Sequence, residues 1–145
     1  MRDRLVREID RVIGATDGLS TAQLTWTPPA KGANSLLVLG AHTVGAAERH
    51  ILVNIAGRKP GGTRDEEFAA TADIAGVHAR SETVKRGIVE VLDNLPPGRL
   101  DDDLVGPVST RSVQAMIVHA IAHAAEHAGQ AELTRDLIKE RDAAG

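Results

Sequence analysis

The 145-residue sequence predicts an all-α fold, a four-helix bundle, and three observations carry that prediction. Apolar residues recur at helical spacing in four separate stretches. Aromatic residues are almost absent, with Trp26 and Phe68 the only large ones, so the core must be built from Leu, Ile, Val and Ala, whose small members let helices approach closely. No β-hairpin signal is found between apolar runs. At this length and with no low-complexity tract, a single domain over residues 1–145 is the simplest organisation.

The first helix spans about residues 2–16, with Leu5, Ile9, Val12 and Ile13 on one face and Arg, Asp and Glu opposite. Gly14 and the Asp17-Gly18 pair end it. Residues 17–34 form a long connection in which Pro28 and Pro29 exclude regular helix and Trp26 packs the chain against the bundle. Asn34 and Ser35 are good caps for a second helix over about residues 35–57, with Leu36, Leu39, Ala46 and Val53 on the side of His42. The Gly57–Gly62 segment stops it. A third helix over about 71–94 carries Ile74, Val77, Val84, Ile88, Val91 and Leu92, and ends before Pro96-Pro97-Gly98. After a turn-rich connection over 98–108, Ser109, Thr110 or Ser112 caps a fourth helix running to about 141. Its apolar stripe is Val113, Met116, Ile117, Ala120, Ala124, Ala131 and Ile138. Both connections are too long for tight turns, so at least one crossover is expected.

The chemistry sits in histidines. His119, His123 and His127 lie four residues apart, so each is displaced by about 40° from the last around the fourth helix. A His pair at i, i+4 can grip a divalent ion from one helix face. His42 sits on the apolar face of the second helix, where a buried imidazole needs a hydrogen-bonding partner or an ion. His123 and His127 lie at or within the apolar stripe. His119 is turned about 80° from His127, towards solvent, and serves either as an alternative ligand or to relay a proton. Glu126 is the other candidate for proton transfer or for orienting a ligand. His50 is placed at the helix edge and His78 in solvent.

Trp26 is a candidate wall for a substrate cleft, and Arg49 or Arg135 a candidate for an anionic substrate group, against the plainer role of ion pairing. A zinc-protease helix is excluded, because Ala124 follows His123 where His-Glu-x-x-His needs Glu. A di-iron carboxylate bundle is excluded by the same Ala124, three residues before His127. Gly57–Thr63 lacks the Gly-Lys-Ser/Thr ending of a phosphate loop, and Asp101-Asp102-Asp103 reads as a solvated turn.

The formal charge of -3 and scattered basic residues argue against nucleic acid as a partner. With no cysteine there is neither a disulfide framework nor a thiolate zinc site, which suits a reducing cytoplasm. The N-terminus alternates charge and hydrophobe, unlike a secretory signal. The longest apolar stretch carries His42, Glu48, Arg49 and His50, which would be expensive in lipid, so a buried core helix is expected rather than a membrane span.

Asn34-Ser35-Leu36-Leu37-Val38-Leu39-Gly40-Ala41-His42, the run His119 to Gln130 and the segment Leu24-Thr25-Trp26-Thr27-Pro28 together resemble the DinB-like (DNA-damage-inducible, YfiT-like) superfamily. The resemblance implies an up-down-down-up bundle, a zinc or nickel ion on His42, His123 and His127, and a homodimer. It also implies a small-molecule substrate and, in several members, a low-molecular-weight thiol cosubstrate, as in mycothiol- or bacillithiol-dependent S-transferases and maleylpyruvate isomerases. Residues 1–145 do not include the extra C-terminal domain of the mycothiol-dependent isomerases, so that specific activity is not expected. Ala128 stands where many members carry Arg. The function implied is metal-assisted activation of a thiol or water for S-transfer, conjugation or hydrolysis; the alternatives are a non-catalytic metal- or small-ligand-binding dimer, or a metalloregulatory or storage protein.

Overall fold

The computed structural model describes residues 1–69, 73–105 and 110–144, and these are predominantly helical, as the sequence predicts. Helix α1 (Arg2–Gly14) buries Leu5, Ile9 and Val12 completely. Glu8 lies on the same buried face, and its carboxylate is tolerated there because Arg4 and Arg11 each approach it to 2.5 Å. The following connection is not irregular throughout. Helix α2 (Thr21–Thr25) forms because Ser20 and Gln23 make a reciprocal cap: Gln23 N–H donates to Ser20 Oγ at 3.3 Å, and Ser20 N–H to Gln23 Oε1 at 2.7 Å.

Helix α3 (Leu36–Ala47) starts at the expected Ser35 cap, whose Oγ accepts the Val38 amide at 3.3 Å. Every residue of α3 except Val38 is buried, so this is the central helix. It does not continue as regular α-helix. Residues Glu48–Val53 form a π-helix, with the Asn54 amide bonded to the Arg49 carbonyl at 2.9 Å and the Ala56 amide to that of Ile51 at 3.2 Å. The chain leaves at Gly57, whose φ of +68° is open to glycine at little cost.

Helix α4 (Arg64–Phe68) falls where the sequence reading places only loop. Thr63 and Glu66 form a second capping box that starts it. Helix α5 (Ile74–Asp93) begins at Asp73, which caps the Gly76 amide at 2.9 Å; residues 71–72 of the expected helix lie outside the described residues. A 3₁₀ turn (Pro97–Asp101) precedes β1 (Asp103–Val105), which pairs antiparallel with β2 (Thr110–Ser112). This small hairpin contradicts the expectation of none. Strands of three residues, one starting inside the Asp101–Asp103 cluster, are too short to show an alternating pattern. The Ser109 cap lies outside the described residues, while Ser112 accepts the Ala115 amide at 3.2 Å and opens α6 (Val113–Ala144).

Contacts fix the helix directions. Leu5 shares a core cluster with Val113 and Ile117, and Arg11 bonds Glu132, so α1 and α6 run parallel. Arg2 pairs with Asp93 and Lys85 with Asp10, so α5 runs opposite to α1. Gly40 faces Val77 and Gly87 faces Leu52, so α3 descends alongside α5. The Leu36–Val53 stretch is apolar and long enough to cross a membrane by composition, yet 72% of it is buried within the fold.

Among the described residues, two apolar clusters make up the core. One includes Leu5, Ile9, Val44, Ile51, Ile88 and Ile117; the other includes Val12, Leu24, Leu36, Leu39, Ala128 and Ile138, with Trp26 packed against it. They meet along the α3–α6 contact, where Leu39 and Val44 bracket His42 and Ala124 and Ala128 bracket His127.

Candidate metal centre

His42 is only 7% exposed and points across the α3–α6 contact, not outward. Its ring centroid lies 5.2 Å from that of His123 and 5.1 Å from that of His127, whose own rings are 4.5 Å apart. One nitrogen from each of the three falls within 4.8 Å of the others, so the expected trio is brought together.

The ring tautomers follow from the partners. Glu67 Oε2 can only accept, so His42 donates Nδ1–H to it at 3.3 Å and keeps Nε2 as a lone pair. Gln130 Oε1 likewise takes the His127 Nδ1–H at 2.9 Å, leaving His127 Nε2 free, 3.3 Å from His123 Nε2. Two ligands on a tetrahedral ion with bonds of about 2.0–2.1 Å stand roughly 3.3 Å apart, so this spacing suits a shared cation. Burial, followed by the neighbouring His127 and His42, holds the His123 pKa down at about 4, which leaves the ring neutral near pH 7 as a metal ligand must be. A divalent metal ion therefore fits the donor set.

Three residues that complete the site are not singled out by sequence reasoning. Glu67, on α4, is fully buried and accepts from both His42 and the Arg49 guanidinium, with Arg49 Nη2 3.0 Å from Oε2. Burial alone would raise its pKa, but hydrogen bonds from His42 and Arg49 and the Arg49 charge outweigh it and hold the carboxyl below its ordinary range. Gly45 makes this possible, because a Cβ there would sit 1.7 Å from Glu67 Oε1. Phe68 lies 4.7 Å from the His42 ring and covers it. The Thr63-x-x-Glu66 capping signature reveals α4, although nothing in it says that Glu67 is the acid that turns inward.

The remaining candidates divide. Arg49 is engaged by Glu67 and so acts behind His42. Trp26 packs on the second core cluster with Arg141 5.0 Å above its ring. Arg135 caps the end of α1 by donating to the carbonyls of Ala15 at 2.7 Å and Asp17 at 2.9 Å. Glu126 is exposed and reaches His127 only through Gln130, at 3.5 Å.

His119 is half-buried and stands 4.8 Å from His50 and 6.2 Å from His123, beside the trio but not in it. The His50 Nδ1 is buried without a hydrogen-bond partner among the described residues, and burial together with His119 holds its pKa down at about 4. His78 is not free in solvent; it is half-buried and donates Nε2–H to Thr16 Oγ1 at 2.8 Å, since that hydroxyl is itself committed to the Ile13 carbonyl. Ala128 is wholly buried in the core, a position with no room for a solvent-facing Arg.

Beyond His127 the groove widens into a cavity of about 450 Å³, lined on one side by Leu133, Thr134 and Leu137 of α6 and on the other by the Pro28–Asn34 connection. Trp26 is not among its lining residues.

No curated protein matches the chain in sequence. Its fold is similar to that of a conserved protein from Enterococcus faecalis known from a crystal structure, with a TM-score of 0.76, 18% identity, and coverage of 96% of this chain and 95% of that one. At that identity the likeness speaks for the fold alone. The model of the DinB superfamily matches residues 4–131, from α1 into the middle of α6, and the chain belongs to that superfamily.

Proposed function

We propose that the protein is a metal-dependent enzyme in which His42, His123 and His127 hold one divalent ion, zinc or nickel, beside a substrate cavity. The observation that carries this reading is the convergence of three imidazoles, two of them pinned at Nδ1 by an acceptor so that Nε2 is left bare. When bound, the ion supplies Lewis acidity that brings the pKa of a coordinated thiol or water towards neutrality.

The chain's own residues do the rest. Glu67 keeps the His42 proton on Nδ1, and Arg49 keeps Glu67 ionised. Gln130 fixes the His127 ring in the same way, and Phe68 screens His42 from water. With a low-molecular-weight thiol as nucleophile the reaction is S-transfer or conjugation; with water it is hydrolysis. The reading takes the substrate to be a small molecule and the working form a cytoplasmic homodimer.

Loading the protein with zinc or nickel and screening thiol cosubstrates against electrophiles tests it. Metal-dependent turnover that disappears in His42→Ala supports the enzyme. One equivalent of metal with no turnover on a broad panel assigns a non-catalytic metal- or ligand-binding bundle instead. Absence of metal, with unchanged stability in His42→Ala and His127→Ala, ends both.

A further inference from the structure

The cavity beside His127 has a chemistry of its own. It lies between α6 and the Pro28–Asn34 connection, with Leu39 of α3, and His127 and Gln130 are among the residues that wall it. Its volume of about 450 Å³ falls within the range of small-molecule sites, and its walls are largely apolar: Leu39, Leu133 and Leu137 with Pro28, Ala30 and Ala33. Leu133 and Leu137 are 62% and 37% exposed, whereas Ile138 beside them on the same helix is fully buried. A ligand seated here would take that surface out of water.

The polar groups are few. His127, Gln130 and Thr134 lie along α6, and Asn34 and the exposed Lys31 stand on the opposing connection. Among the described residues, Lys31 is the one lysine or arginine in the lining, and no carboxylate lines it. The lining therefore favours an anion over a cation and an apolar body over a sugar or peptide. A cation would meet Lys31, and a polyol would leave its hydroxyls unpaired against the leucines.

We propose that this cavity binds a small apolar anion, an aryl or short-chain acyl carboxylate, with its hydrophobic body on Leu39, Leu133 and Leu137 and its charge towards Lys31. The opposite end of such a molecule reaches His127, which places its reactive group next to the histidine trio. Its role as substrate rests on the metal-enzyme reading above; its binding does not.

Calorimetric titration of zinc-supplemented protein with naphthalene-2-carboxylate, and in parallel with the uncharged 2-naphthalenemethanol, tests the assignment. The carboxylate is expected to bind once per chain and more tightly than the alcohol. Lys31→Glu should weaken the carboxylate about tenfold and change the alcohol by less than twofold. Ala33→Trp, which fills the cavity from the connection, should abolish both. Leu133→Ser, an exposed position where folding is not at risk, should weaken both severalfold.

Absence of saturable binding overturns the proposal. So does equal affinity for acid and alcohol with no response to Lys31→Glu, or affinity unchanged in both Ala33→Trp and Leu133→Ser. Zinc content measured on the same samples separates the two readings. Carboxylate binding without zinc removes the enzyme and keeps the cavity, whereas one equivalent of zinc without carboxylate binding does the reverse.

Discussion

At the scale of single residues the site is a set of imidazoles whose protons are assigned by their neighbours. His42→Ala, His123→Ala and His127→Ala should each abolish stoichiometric metal, whereas His78→Ala, whose ring is spent on Thr16, should retain a full equivalent; elemental analysis of the purified variants distinguishes them. His119→Ala should also retain it, since that ring pairs with His50. Glu67→Gln keeps the shape but loses the charge that holds the His42 proton, and a weakening of metal affinity of about 10–100-fold is expected, read by competition with a chelator. Gly45→Ala should have a similar effect by evicting the carboxylate. The convergence of His42, His123 and His127 was legible from four-residue spacing plus one His on an apolar face. Glu67 was not, because two adjacent acids, Glu66 and Glu67, look alike until one caps a helix and the other enters a slot opened by Gly45 on α3.

At the scale of elements, the long helices follow from apolar periodicity and their caps, and Ser35 and Ser112 start α3 and α6 within the expected sites. What periodicity misses is short or irregular. Helices α2 and α4 have five residues each, less than two turns, so only their capping boxes betray them. The π-turn after Ala47 leaves no pattern because Glu48–Val53 reads as ordinary helix, yet it alters where His50 points. In a straight α-helix His50 would stand about 80° from His42; a wider turn rotates less per residue and swings it back towards α6, where it meets His119. Thr63→Ala removes the cap of α4 and should cost about 1 kcal/mol locally, seen as faster amide exchange in Arg64–Phe68 and weaker metal binding through Glu67. Truncation of a core side chain acts globally: Ile117→Ala should lower unfolding stability by about 2–5 kcal/mol in denaturant titration.

At the scale of the whole molecule, acid and metal should move stability in opposite directions. His50 and His123 titrate at about 4 when folded and at 6.5 unfolded, so between those values the unfolded chain binds more protons. The metal-free protein should therefore be most stable above pH 6.5 and lose stability as pH falls towards 4, with His50→Asn flattening that slope in thermal melts. Saturating metal should raise the melting temperature, by the equivalent of about 2.7 kcal/mol at a hundredfold excess over Kd, in the wild type but not in His42→Ala. The overall class was readable because an almost aromatic-free chain with four apolar periodicities has few ways to close a core. The cavity was not, since it is walled by a proline-bounded connection whose path no local pattern specifies. The most direct test of the account is a crystal structure of zinc-loaded protein with anomalous data collected at the zinc edge. One peak bonded at about 2.0–2.2 Å to His42, His123 and His127 is the result predicted; zinc held elsewhere, or no peak between those three rings, would contradict it.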